Sequence, residues 1–162
     1  MTNPVYDKLR NCYDSIKGKI PFEPKVALVL GSGLGDYAEQ LEIQGTIDYH
    51  DIEGFPVSTV PGHKGRFVFA RINEVPAVLM QGRVHYYEGY PMSDVVLPVR
   101  LMKLMGAEIL FLTNAAGGVN YDYGAGGLYA HKGPDILLCP LPAGGAEPGG
   151  AGTKVPGYEP YI

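Results

Sequence analysis

Short apolar runs broken by polar and glycine-bearing turns alternate along the chain up to about Asp122. This is the pattern of an α/β domain, in which strands and helices each bury one face. Val5, Leu9 and Ile16 recur at roughly helical spacing and predict a helix over residues 4–17. Lys25-Val-Ala-Leu-Val-Leu30 is continuous, rich in apolar side chains and stopped by glycines, so it predicts a strand buried on both faces. A helix over Leu34–Leu41 follows. Phe67–Ala70 and Pro76–Met80 predict two strands around the turn residues Asn73 and Glu74. Ser93 is placed to cap a helix running to Met105, kinked at Pro98 and stopped by Gly106. Glu108–Thr113 predicts another buried strand ending near glycines.

The pattern fails after Asp122. From Gly124 onward the chain holds ten of its 23 glycines and six of its 14 prolines, too few core-forming side chains for the period to continue. The expected division is therefore 1–126, the α/β part, and 127–162, a Gly/Pro-rich and poorly ordered tail. The net charge of −4 and the lack of a basic run give no reason to expect a nucleic-acid partner. Cys12 and Cys139 lie far apart without metal-ligand spacing, which suits a reducing, cytoplasmic setting. No stretch approaches the roughly twenty apolar residues of a membrane span, and the N-terminus has no apolar segment after a basic start. A soluble protein with no membrane partner is expected.

Candidate chemistry sits where the predicted strands end. Gly31-Ser-Gly-Leu-Gly35 is a strand-to-helix turn that exposes backbone N–H groups to an anion, with the Ser32 hydroxyl as a further donor. It is no dinucleotide fingerprint, because the third glycine of that motif falls on Asp36, and it lacks the Gly-Lys-Ser/Thr ending of a nucleotide-triphosphate loop. Alone, it reads equally well as a tight turn. In Gln81-Gly-Arg-Val-His-Tyr-Tyr-Glu-Gly-Tyr-Pro91, an extended chain would put Arg83, His85 and Tyr87 on one side, where guanidinium, imidazole and phenol can hold an oxyanion. Thr113-Asn-Ala-Ala-Gly-Gly118 is a second strand-end turn of small residues that lets an anion reach the backbone near Ala115. Val60-Pro-Gly-His-Lys-Gly-Arg66 carries His63 in a turn that reads as a solvated basic loop or as a lid.

These segments, together with Pro98-Val-Arg100, occur in the order and at about the spacing of the trimeric purine nucleoside phosphorylases, which residues 4–126 resemble. The resemblance implies a nucleoside phosphorylase-like α/β fold, a mixed curved sheet flanked by helices, here truncated. It implies a phosphate pocket of Ser32, His63, Arg83, His85 and the Ala115 N–H, with His63 as the lid histidine. Tyr87 matches a residue near the ribose; Glu88 matches one supporting the phosphate network, so His85 and Glu88 are the catalytic candidates. The implied reaction is phosphorolysis of a purine nucleoside to free base and ribose 1-phosphate, as in purine salvage. Phosphate is co-substrate, no metal or other cofactor is expected, and the family's assembly is a homotrimer. A methylthioadenosine-type phosphorylase is the weaker match, because Asn114-Ala-Ala-Gly117 fits the purine enzymes better.

The tail departs from the family. Codons formed from the last two bases of each residue's codon and the first base of the next turn Gly127–Ile136 into Asp-Phe-Met-Leu-Ile-Arg-Asp-Gln-Ile-Ser, which looks like the family's continuation. The code leaves little freedom: Lys132 must yield Lys or Arg, and Tyr158 must yield Met or Thr. Residues 127–162 thus read as the family's own continuation in a shifted frame. The alternative reading of function follows: a catalytically inactive fragment with a phosphate-binding half-site.

Overall fold

A computed structural model of the chain describes residues 3–58, 64–115 and 122. The architecture below is that of the first of two compact units, Met1–Gly118. The expected boundary at 126/127 lies outside the described residues.

The chain opens with α1 (Pro4–Ile16), whose start is fixed by Asn3: its side-chain oxygen accepts from the N–H groups of Val5 and Tyr6. Pro4 then occupies the first turn, where its missing N–H costs nothing. Next come β1 (Val26–Val29), β2 (Ile43–Asp48), β3 (Arg66–Ile72) and β4 (Val75–Gln81). Helices α2 (Met92–Val95) and α3 (Leu97–Leu104) lead to β5 (Ile109–Leu112).

The five strands form one mixed sheet in the order β2-β3-β4-β1-β5. β2, β3 and β4 pair antiparallel; β1 lies parallel to β4 on one side and to β5 on the other. Asn73 and Glu74 make the two-residue β3–β4 turn, both at positive φ (46° and 67°), whose twist suits a tight hairpin. Two-residue alternation splits the buried side chains between the faces. Ala27, Val29, Phe67, Phe69, Val78 and Met80 pack with Leu9, Cys12 and Ile16 of α1 and Leu97, Leu101 and Met102 of α3. Val68, Ala70, Ala77 and Leu79 form a smaller cluster on the other face with Leu30 and Ala38.

Four expectations need correction. Residues Gly35–Gln40 form a short 3-10 turn instead of a helix over Leu34–Leu41. Ser93 caps nothing: Pro91 precedes α2, and the predicted single helix breaks at Val96, so that Pro98 sits in the first turn of α3, where proline is tolerated, rather than at a kink. β5 is a strand, as expected, and stands at the sheet's edge, but all four of its residues are exposed where a buried strand was expected. β2 had no counterpart in the sequence reading; only Ile47 among its residues is buried, which leaves the strand without an apolar alternation.

Candidate functional site

Because β4, β1 and β5 are parallel neighbours, their carboxyl ends finish along one rim of the sheet. Crevices outside the carboxyl ends of parallel strands are where α/β folds bind ligands. The turns after these strands are the Arg83–His85 segment, the Gly31–Gly35 turn and the Thr113–Ala115 segment. The order of the sheet therefore gathers three segments that the sequence scatters over more than eighty residues.

Two of the turns are locked together. The Thr113 hydroxyl donates to the Val29 carbonyl (2.8 Å) and accepts from the Gly31 N–H (2.9 Å). A Cβ on Gly31 would stand 2.7 Å from the Thr113 carbonyl oxygen and 2.8 Å from the Asn114 Cα, so glycine is required by space. Arg83 brings in the third segment, its Nη2 lying 3.5 Å from Ser32 Oγ in a long contact. Ser32 is exposed, Arg83 half-buried, and Ala115 exposed two residues beyond Thr113. His63 lies outside the described residues. The donor expected from a helix start after Gly35 is replaced by the turn itself, since a six-residue 3-10 turn carries no long helix dipole.

The segment after β4 is shaped by a buried phenol. Gly82, at φ +105°, redirects the chain, and its carbonyl accepts from Tyr49 Oη at 2.9 Å. Tyr49 is fully buried, and that burial raises its pKa, so the phenol keeps the proton it donates. Val84 then enters the core while Arg83 and His85 leave it. The expected alternation ends at His85. Tyr86–Glu88 is a 3-10 turn, and this turn, rather than an extended chain, lays the Tyr87 ring against the His85 ring at 4.8 Å and 13°. The His85 N–H donates to Glu88 Oε1 at 2.7 Å, and Ser58 Oγ donates to Glu88 Oε2 at 3.2 Å. Glu88 thus fixes the backbone of His85 and ties it to the residue 53–58 loop. Tyr90 strengthens that tie, its hydroxyl donating to the Val57 carbonyl at 2.9 Å.

Behind the rim lies a network that sequence reasoning missed. Gln81, buried at the end of β4, donates to the Gly35 carbonyl (2.7 Å) and to Glu39 (3.0 Å), and accepts from Arg66 Nε (2.8 Å). Lys64 and Arg66 both reach Glu39 Oε1 at 2.7 Å. Hydrogen bonds from Lys64 and Gln81, helped by the charges of Lys64 and Arg66, lower the Glu39 pKa to about 2. Lys64 and Arg66, at the end of the basic turn, are thus partnered through Glu39, while the lid expected at His63 falls outside the described residues. Gln81 could have been found as a polar residue ending an apolar run; Tyr49 and Glu39 carried no such signal.

A separate cleft of about 330 Å³, lined in part by Tyr13, Phe22, Glu23 and Met105, lies where β1 and β5 begin, away from this rim. Among the described residues no group of three His, Cys, Asp or Glu side chains is placed to hold a metal ion. No helix among them is long and apolar enough to cross a membrane.

Comparison with known proteins identifies the family. Residues 25–130 match the model of the phosphorylase superfamily. The chain is 48% identical over 122 residues to purine nucleoside phosphorylase 1 of Bacillus subtilis, covering 75% of this chain and 45% of that protein. It is 52% identical over 103 residues to purine nucleoside phosphorylase of Bos taurus, covering 64% of this chain and 36% of the other. A solved structure of isoform 2 of the Schistosoma mansoni enzyme, in complex with cytosine and ribose-1-phosphate, superposes with a TM-score of 0.65 at 40% identity, over 72% of this chain and 41% of that one. The chain spans less than half the length of each of these relatives. It belongs to the phosphorylase superfamily, with purine nucleoside phosphorylases as its relatives.

Proposed function

We propose that this chain carries the phosphate side of a purine-nucleoside phosphorylase site. The observation that supports it most is the meeting of Ser32, Arg83 and the Thr113–Ala115 segment at the carboxyl ends of three parallel strands. In this reading Ser32, Arg83, His85, the Ala115 N–H and the lid residue His63 hold a phosphate dianion. Glu88 holds His85 in place, and Tyr87, stacked on His85, faces the ribose. The pentosyl transfer runs as follows. A phosphate oxygen forms the bond to C1′ as the bond from C1′ to the purine nitrogen breaks, and the electron pair leaves with the base, which then takes up a proton. Positive charge builds on the ribose as that bond loosens. A fixed dianion beside it both supplies the nucleophile and stabilises the charge. Phosphate is co-substrate, and no metal or other cofactor enters the reaction. A homotrimer in the cytoplasm, working in purine salvage, completes the reading for the family enzyme.

The departing base needs its own partner, and among the described residues the groups gathered at this rim suit phosphate and ribose. A second reading therefore applies to the 162-residue chain: it binds phosphate and does not turn over. Two measurements test both. Titration with inorganic phosphate, followed by calorimetry, is expected to show binding that Arg83→Ala weakens and Arg71→Ala, on the distant hairpin, does not. The loss is on the order of 1.5–3 kcal/mol, the worth of a charged hydrogen bond. Equal effects of the two substitutions would remove the pocket assignment. Incubation with inosine and phosphate is expected to release no hypoxanthine above background; robust release would reject the second reading and establish the full activity in the short chain.

A further inference from the structure

The tie between the first and third turns is made by a residue with no assigned role. We propose that Thr113 is the positioning residue of the anion site, holding the Ser32 turn and the Ala115 segment at a fixed separation so that both can donate to one anion. This rests on the phosphate reading above.

A hydroxyl has one proton and two lone pairs. The Thr113 proton goes to the Val29 carbonyl at 2.8 Å, and a lone pair takes the Gly31 N–H at 2.9 Å. The Thr113 N–H also donates to Val29, at 3.2 Å. All three bonds go to the last residue of β1 or to the turn that follows it, so Thr113 acts through its neighbours instead of touching the phosphate. The β1–β5 register ends at Val29 and Leu112, and Thr113 is the next residue, two before Ala115. Gly31 permits the tie, because any larger residue would push the Thr113 backbone away. Arg83 approaches Ser32 from the β4 side, so a displaced Ser32 would break the site from both directions at once.

Thr113→Val tests this, because valine keeps the branched shape and strand preference while removing the hydroxyl. Val29 retains a backbone donor in that variant, whereas the Gly31 N–H loses its partner. Thr113→Ser keeps the hydroxyl and is the rescue. Ile47→Val, a core change on β2 at the opposite edge of the sheet from β5, controls for lost stability. Each full chain is titrated with inorganic phosphate well below its unfolding temperature. Thr113→Val is expected to weaken binding about tenfold, the size of one lost hydrogen bond; Thr113→Ser is expected to restore it, and Ile47→Val to leave it unchanged. If Thr113→Val does not fold, Thr113→Ala removes the same hydroxyl without adding bulk and carries the same expectation. Binding by the hydroxyl-free variant equal to wild type, or no rescue by serine, overturns the role of Thr113 alone. Loss of binding in Ile47→Val reduces Thr113 to general stability and likewise overturns it. A wild-type chain that does not bind phosphate removes the anion site itself, and the proposal with it.

Discussion

Glu39 accepts from Lys64, Arg66 and Gln81, and through Gln81 it is linked to the Gly35 carbonyl at the close of the glycine turn. Its folded pKa, about 2 against an ordinary 4.5, means that the unfolded chain takes up the proton first as pH falls. The stability it contributes is therefore complete above about 4.5 and is lost as pH falls towards about 2. Glu39 is exposed, so solvent screens the effect and it is modest. Glu39→Gln is expected to flatten that part of the acid limb: urea midpoints of wild type and variant should draw together between about pH 6 and about pH 3. A gap that stays constant over this range would show that the carboxylate makes no pH-dependent contribution. At this scale the sequence showed the residues that could meet an anion, because several anion-suited turns occur together in the order of a known family. It did not show what holds them. Tyr49 and Thr113 act through backbone carbonyl and N–H groups, and backbone partners leave no trace in residue identity.

At the scale of elements, legibility followed burial. β1 and the β3–β4 hairpin were plain because both faces of these strands are covered, so apolar runs and a hairpin turn had to coincide. β2 escaped because only one of its residues, Ile47, is buried, so its sequence shows no apolar alternation. β5 shows the opposite error: Ile-Leu-Phe-Leu is the composition of an interior strand, yet Ile109 is 57% exposed and Leu112 64%. A four-residue apolar edge without lysine or proline to blunt it is a template for association. Phe111, 59% exposed, offers the largest apolar side chain there. Phe111→Lys is expected to lower the fluorescence of a bound hydrophobic dye such as ANS and to reduce light scattering in concentrated solution. An unchanged dye signal would mean that the edge is covered in solution.

The whole molecule poses the question of the second half. The matched relatives are more than twice as long as the region they share with this chain, and we propose that the tail is the family's continuation read in a shifted frame. A chain in which the second half is restored in the original frame from Gly127 onward is expected to release hypoxanthine from inosine and phosphate and to sediment as a trimer. A restored chain that folds but stays inactive would count against the frame reading. So would a nucleotide sequence around codons 124–130 without the inferred step between frames.

The strand order has one more consequence, for synthesis on the ribosome. β1 emerges early, yet the strands that flank it, β4 at Val75–Gln81 and β5 at Ile109–Leu112, are made dozens of residues later. The antiparallel β3–β4 hairpin closes locally as soon as it leaves the exit tunnel, whereas both parallel pairings of β1 must wait for distant partners. A nascent chain therefore carries the Ser32 turn as an unattached arm through most of its elongation. The rim can close only once residue 113 has cleared the tunnel and its hydroxyl can reach back to a strand synthesised eighty-odd residues before.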